Sequence, residues 1–434
     1  MSPVTTGIVG IILLLFLFLL RMPVAFAMTF IGVTGFAYLT GPEPALGLLA
    51  QDIFETFSSY PLSVIPMFIL MGSFAFASGI SQRMYNTTYS WVGQLRGGLT
   101  IATVLACSGF AAICGSTAAT AATMGKIALP EMKKYGYDDM LATGTVAAAG
   151  TLGILIPPST ILIVYGILTE ESIGKLFVAG LFPGVVLSLL FVAVVAILCT
   201  RNPDLGPSGS PTTWKEKFQS TKGIIEAVIL FVLTIGGLFL GWFSPTQAGA
   251  IGAGGALLIG LLRRQLTWKN FFESGKDGLR TACMVLFIIT GATVFGHFMA
   301  VTTIPFLLAD WVSSLPIPTM AIMGVIIFIY FIGGFFMDSM ALVVVTIPIF
   351  FPLVIKLGFD PIWFGVIIVL VAEMGVITPP VGVNVFVIKG IAPDIPLEII
   401  FKGILPFLVA LILFTIILII FPQIATYLPS LVTY

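Results

Sequence analysis

The sequence predicts an all-α polytopic membrane protein made of two inverted-topology repeats, each with a re-entrant helical hairpin and a broken transmembrane helix. Three observations carry this. Of 434 residues, 58% are hydrophobic and 9% charged, and the mean hydropathy is +1.14; soluble domains carry about 25% charged residues. The stretch from Gly115 to Pro158 recurs about 222 positions later, between Met337 and Pro380, and both copies end in Pro-Pro within apolar sequence. In the alignment, Gly115-Ser116-Thr117 falls on Met337-Asp338-Ser339, and Gly153-Ile154-Leu155-Ile156-Pro157-Pro158 on Gly375-Val376-Ile377-Thr378-Pro379-Pro380. A duplicated half broken by Gly and Pro fits a secondary transporter, because unwound backbone at membrane depth is tolerated only where protein or a water-filled cavity covers it.

The apolar run Pro3 to Leu20 is followed by Arg21 rather than preceded by a basic residue, so it reads as a transmembrane helix and not a signal peptide. Spans follow at 22–40 and 61–80, then an amphipathic segment at 82–96 with Arg83 and Arg96. Two apolar stretches, 98–114 and 118–130, meet at Gly115-Ser116-Thr117 and define a hairpin over 97–133. Each is too short to cross a hydrocarbon core of about 30 Å at about 1.5 Å per residue with its loop included. A broken helix at 139–168 and a long helix at 176–199 complete the first repeat, 1–223, whose polar stretch Thr200 to Lys222 reads as a loop between halves. The second repeat, 224–434, keeps the order: spans at 224–242, 246–262 and 278–300, an amphipathic piece near 303–316, a hairpin at 318–352, a broken helix at 361–388 and a last span at 397–421.

A hairpin adds no net crossing, so each repeat crosses five times, and an odd count inverts the second. With both termini outside, all 19 Lys and Arg except Lys175 and Lys356 fall on the inner side or in elements entered from it. That asymmetry follows the positive-inside rule. The first hairpin then enters from the cytoplasm and the second from the periplasm, and the two face each other across a pseudo-symmetric cavity.

Hairpin tips and helix breaks must supply the chemistry. Ser116 and Thr117 start a half-helix whose free N–H groups and hydroxyls form an electropositive end suited to a carboxylate. Gly153 to Pro158 and Gly375 to Pro380 offer carbonyls without intrahelical donors. Clustered oxygens of this kind suit a hard cation such as sodium. Buried charge is costly, so each case matters. Asp338 reads as a cation ligand or as the N-cap of the run from Ser339. Glu373 reads as accepting backbone N–H groups of the broken helix or as pairing with a basic group. Lys126 reads as snorkelling to the cytoplasmic surface, Asn384 as a substrate contact or a tie for loose backbone, and His297, the single histidine, as a packing residue. The four cysteines, Cys107, Cys114, Cys199 and Cys283, read as small core residues without metal spacing.

An enzyme is disfavoured: one histidine with no clustered ligands cannot hold a transition metal, and neither a serine nor an aspartyl protease constellation is present. A channel fits poorly, because two inverted hairpins suit an occluding carrier better than a filter ring. No nucleic acid is expected among the partners.

Cys114-Gly115-Ser116-Thr117-Ala118-Ala119-Thr120-Ala121, Gly153 to Ser159, Gly333-Gly334-Phe335-Phe336-Met337-Asp338 and Gly375 to Asn384, in this order and spacing, resemble the large membrane subunit of the tripartite ATP-independent periplasmic (TRAP) transporters over essentially the whole chain. The resemblance implies a sodium-driven elevator-type carrier of the bacterial inner membrane. It would work with a small four-helix membrane subunit, bound one to one, and a periplasmic binding protein delivering an organic acid such as sialic acid or a C4-dicarboxylate. A stand-alone carboxylate carrier or antiporter is the alternative. Carried onto this chain, one sodium site uses Gly115, Ser116 and Thr117 with Gly153 and Pro157. The other uses Met337, Asp338 and Ser339 with Gly375, Thr378 and Pro379. Substrate sits between the tips, near Ser116, Thr120, Ser159, Ser339 and Asn384. The static scaffold is chiefly 1–60 and 224–277, and the moving transport part chiefly 97–199 and 318–421.

Overall fold

A computed structural model describes residues 1–209 and 211–431. It is all helical among the described residues. Two apolar helices open the chain, α1 (Pro3–Leu19) and α2 (Val24–Thr40). Next comes α3 (Pro42–Ser58), bent by 57° from the 3-10 turn and α4 (Val64–Ala77) that follow it. The amphipathic α5 (Ile80–Val92) leads into a hairpin of α6 (Gly98–Cys114) and α7 (Thr117–Lys134). The first broken helix is α8 (Asp139–Gly150), the single turn α9 (Leu152–Leu155) and α10 (Thr160–Thr169), and α11 (Ile173–Arg201) ends the half.

The second half repeats this order. Its first span is α13 (Ile225–Phe231), a π-helical turn over Val232–Gly236 and α14 (Gly237–Phe239). Then come α15 (Pro245–Leu262), α16 (Trp268–Thr302) and the short α17 (Ile304–Ser314). The second hairpin is α18 (Thr319–Gly334) with α19 (Ser339–Lys356), and the second broken helix α20 (Pro361–Ile377) with α21 (Val383–Ile391). The last long helix is α22 (Leu397–Ile420).

Three elements lie outside the spans read from sequence. Residues 42–58 form a helix where no element was expected, the loop between halves carries α12 (Trp214–Thr221), and α23 (Gln423–Ser430) follows the last span. The α12 start is fixed by a capping box between Thr213 and Glu216. The α16 helix starts ten residues earlier than the expected 278, so one continuous 35-residue helix stands where the first half has the bent pair α3 and α4. Length does not separate hairpin arms from spans: α19, with 18 residues, is long and apolar enough to cross alone. Its start inside the molecule makes it a hairpin arm, with Ser339 1% exposed.

Two groups of helices pack among themselves. The α2, α3 and α4 helices pack on α16, and α4 also on α15. Elsewhere α7 and α22 flank α8, while α18, α19 and α22 surround α20. At one seam between halves, Glu226 of α13 takes Arg83 of α5 at 2.7 Å and Arg263 at the end of α15 at 2.5 Å.

Candidate functional site

Both hairpins turn at the positions where sequence placed the tips. In the first, α6 ends at Gly115, whose φ of +65° is left-handed, a conformation glycine adopts without a Cβ clash. Ser116 caps α7, its Oγ accepting from the Ala119 N–H at 3.5 Å. In the second, Asp338 caps α19, accepting from the Met340 N–H at 3.1 Å. The capping reading of Asp338 therefore holds as geometry, and its carboxylate also lines the central cavity.

The first tip is fastened to its own broken helix. Thr160, at the start of α10, gives its hydroxyl to the Gly115 carbonyl at 2.9 Å. Gly153 sits so close to the tip that a Cβ there would lie 2.6 Å from the Ser116 carbonyl oxygen and 2.8 Å from Thr120 Oγ1. Its equivalent, Gly375, faces the Gly334 backbone, where a Cβ would overlap main-chain atoms of α18. Both breaks pass through cis Pro-Pro bonds, Pro157-Pro158 and Pro379-Pro380.

Glu373 of α20 joins the two tips. It is 2% exposed. Thr117, the first residue of α7, donates its hydroxyl to Oε2 at 2.9 Å, and Ser339, the first residue of α19, donates to Oε1 at 2.9 Å. This departs from both sequence readings of Glu373. Its partners are neither backbone N–H groups nor a basic side chain but the equivalent hydroxyls of the two repeats. Sequence spacing could not show a bond between residues 117 and 373. Hydrogen bonds from hydroxyls to a carboxylate in this setting contribute roughly 1.5–3 kcal/mol each, enough to hold both tips at one place.

A cavity of about 540 Å³ opens beside this carboxylate, lined by Ser116, Thr117, Asp338, Ser339, Glu373 and Asn384. Asn384, 0% exposed, donates through Nδ2 to the Ala147 carbonyl at 3.0 Å, while its Oδ1 lacks a partner. Lys126 also lines this cavity, a placement the snorkelling reading did not give. Thr120 and Ser159 do not reach the lining. Thr120 is buried and donates to the Ser116 carbonyl at 2.8 Å, and Ser159 is buried and caps α10. Among the other sodium candidates, Pro157 is buried and Met337 half-buried. The Thr378 hydroxyl bonds back to the Met374 carbonyl at 2.5 Å, and Pro379 is exposed.

A second cavity of about 580 Å³ lies between α3 and α16 on one side and α10 and α19 on the other. Here His297 Nε2 lies 3.4 Å from Asp52 Oδ1, and Asp52 is 3% exposed. His297 is thus paired, not merely packed. Asp52 escaped notice because no element was expected over residues 42–58.

Two hairpin tips and two broken helices meeting at one cavity, where a few polar side chains break a mostly apolar lining, mark the chain as a membrane permease. Residues 11–424 match the family described as tripartite ATP-independent periplasmic transporter, DctM component, and the chain belongs to that family. It is similar to the C4-dicarboxylate TRAP transporter large permease protein DctM of Pseudomonas aeruginosa, 39% identical over 371 residues, 84% of this chain and 85% of the relative. It is also similar to the sialic acid TRAP transporter large permease protein SiaM of Vibrio cholerae, 31% identical over 392 residues and 90% of each chain. The crystal structure of the YdaH transporter of Alcanivorax borkumensis shares the fold, with a TM-score of 0.65 at 15% identity over 88% of this chain and 89% of that one. This chain is accordingly a multi-pass membrane component of a transporter and not an enzyme.

Proposed function

We propose that this chain takes up an organic acid across the bacterial inner membrane, driven by a sodium gradient, as the large subunit of a three-part transporter. The observation that carries the reading is the meeting of Thr117 and Ser339 on Glu373 beside a cavity whose lining includes Ser116 and Asp338. The donor set suits sodium: hydroxyls, carboxylates and backbone carbonyls are hard ligands, and no group of three or more His, Cys, Asp or Glu capable of holding a metal occurs among the described residues. Sodium belongs at the tips, with Gly115, Ser116, Thr117, Gly153 and Pro157 on one side and Met337, Asp338, Ser339, Gly375, Thr378 and Pro379 on the other. The substrate belongs in the cavity between them, where Lys126 offers a cation to an anionic solute.

A C4-dicarboxylate is the favoured solute, because the 39% identical relative is named for it. The elevator reading has α6–α11 and α18–α22 moving as one body past a wall of α1–α3 and α13–α15, with both termini periplasmic. A small membrane subunit, one per large subunit, braces the wall, and a periplasmic binding protein delivers the solute. Proteoliposomes holding all three components should accumulate radiolabelled succinate or sialic acid, and accumulation should stop when either partner is omitted. Full uptake by this chain alone would overturn the three-part reading.

A further inference from the structure

We infer that Glu373 is the positioning residue that couples the two cation sites, one carboxylate turning a hydroxyl of each hairpin tip into a cation ligand. The inference rests on the sodium reading above and deepens it. A hydroxyl has one proton to donate and two lone pairs to offer. Thr117 and Ser339 each spend that proton on Glu373, at 2.9 Å in both cases. Their lone pairs therefore point away from the carboxylate, and the bond to an anion makes each oxygen more negative than a free hydroxyl.

The charge is shared and not duplicated. No Lys, Arg or His lies within ion-pair distance of Glu373 among the described residues. The equivalent position in the first repeat is Thr151, whose hydroxyl is spent on the Ala148 carbonyl of its own helix at 2.6 Å. One tip has a carboxylate of its own, Asp338; the other, with Ser116 at the same place, has none. The first site, with no carboxylate at its own tip, therefore takes negative charge from the second repeat. A buried carboxylate without a cationic partner is unfavourable, so cations at the two tips are its natural complement. Because a single group orients both hydroxyls, ordering one tip by a cation prepares the other, and binding becomes cooperative.

The test is a sodium titration of the purified complex with its small subunit, read as thermal stabilisation in sodium against choline and without substrate. The natural protein should titrate with a slope near two. Glu373→Gln presents one amide N–H₂, which forces one hydroxyl to accept and turns its lone pair from the cation. Its midpoint should rise about tenfold and its slope fall to about one. Glu373→Asp keeps the charge but is one methylene shorter and reaches one tip only; it should keep a sodium response with a slope near one, which preserves the test if the Gln variant fails to fold. A folded variant of either kind with the midpoint and slope of the natural protein would overturn the inference while leaving sodium coupling intact. Absence of any sodium response in the natural complex would overturn both.

Discussion

The two hairpin tips share a backbone plan and differ in charge. The first is capped by a neutral Ser116, fastened to its own broken helix by Thr160 and pressed against Gly153. The second is capped by Asp338, and its broken helix meets α18 at Gly334, ahead of the tip, and the tip itself through the Ser339 hydroxyl on Glu373. Both carboxylates that reach the tips, Asp338 and Glu373, come from the second repeat. Duplication thus supplied equivalent hydroxyls and equivalent breaks, while both carboxylates at the tips were placed on one copy only.

The largest effect should come from the close glycine contact behind the second tip. Gly375→Val puts a side chain into the Gly334 backbone, an overpacking that costs about 3 kcal/mol or more; no monodisperse complex should be recovered in size-exclusion chromatography. Recovery of a stable complex would show that α18 and α20 can separate at that point.

Next in size is the charge at the second tip. Asparagine caps a helix about as well as aspartate, so Asp338→Asn separates the two roles of that residue. Its melting temperature should match that of the natural complex, while the sodium concentration for half-maximal uptake rises about tenfold. An unchanged sodium dependence would leave Asp338 as a cap alone. Ser116→Ala makes the opposite cut at the first tip: the cap bond is long at 3.5 Å, so stability should fall by less than about 1 kcal/mol.

The smallest effect concerns the fastening of the first tip. Thr160→Val removes the hydroxyl bond to the Gly115 carbonyl and should lower stability by about 1 kcal/mol in thermal melts, with sodium affinity following only weakly. A large loss of sodium affinity would mean that the fastening, and not the shared carboxylate, orders the first tip.

Topology can be tested apart from chemistry. With Cys107, Cys114, Cys199 and Cys283 replaced, a cysteine at the exposed Ser208 should react with impermeant reagents from the cytoplasm, and one at the exposed Glu43 from the periplasm. Labelling of both from one side would break the inverted arrangement.

Sequence made the repeats and their turning points legible, because Gly and Pro punctuate apolar runs at matched spacing. The first arm, 98–114, agrees with α6 at both ends. The α3 helix was hidden by Glu43, Gln51, Asp52 and Glu55, which break the apolar run of a span; only its helical spacing of the buried Ala45, Asp52 and Thr56 betrays it. Glu373 stood out as a buried charge, but its role depends on bonds to residues 256 and 34 positions away, which no local pattern encodes. Thr120 and Ser159 sit next to the tip and the break in sequence, yet helix geometry turns both hydroxyls onto neighbouring backbone.

The central claim, that these tips and breaks couple solute to sodium, is tested most directly by measuring both fluxes together. Proteoliposomes with the large subunit, small subunit and binding protein should take up radioactive sodium in fixed proportion to labelled succinate or sialic acid, and neither flux should persist when choline replaces sodium or the solute is withheld. Full solute uptake in choline, or solute uptake with no accompanying sodium, would contradict the account.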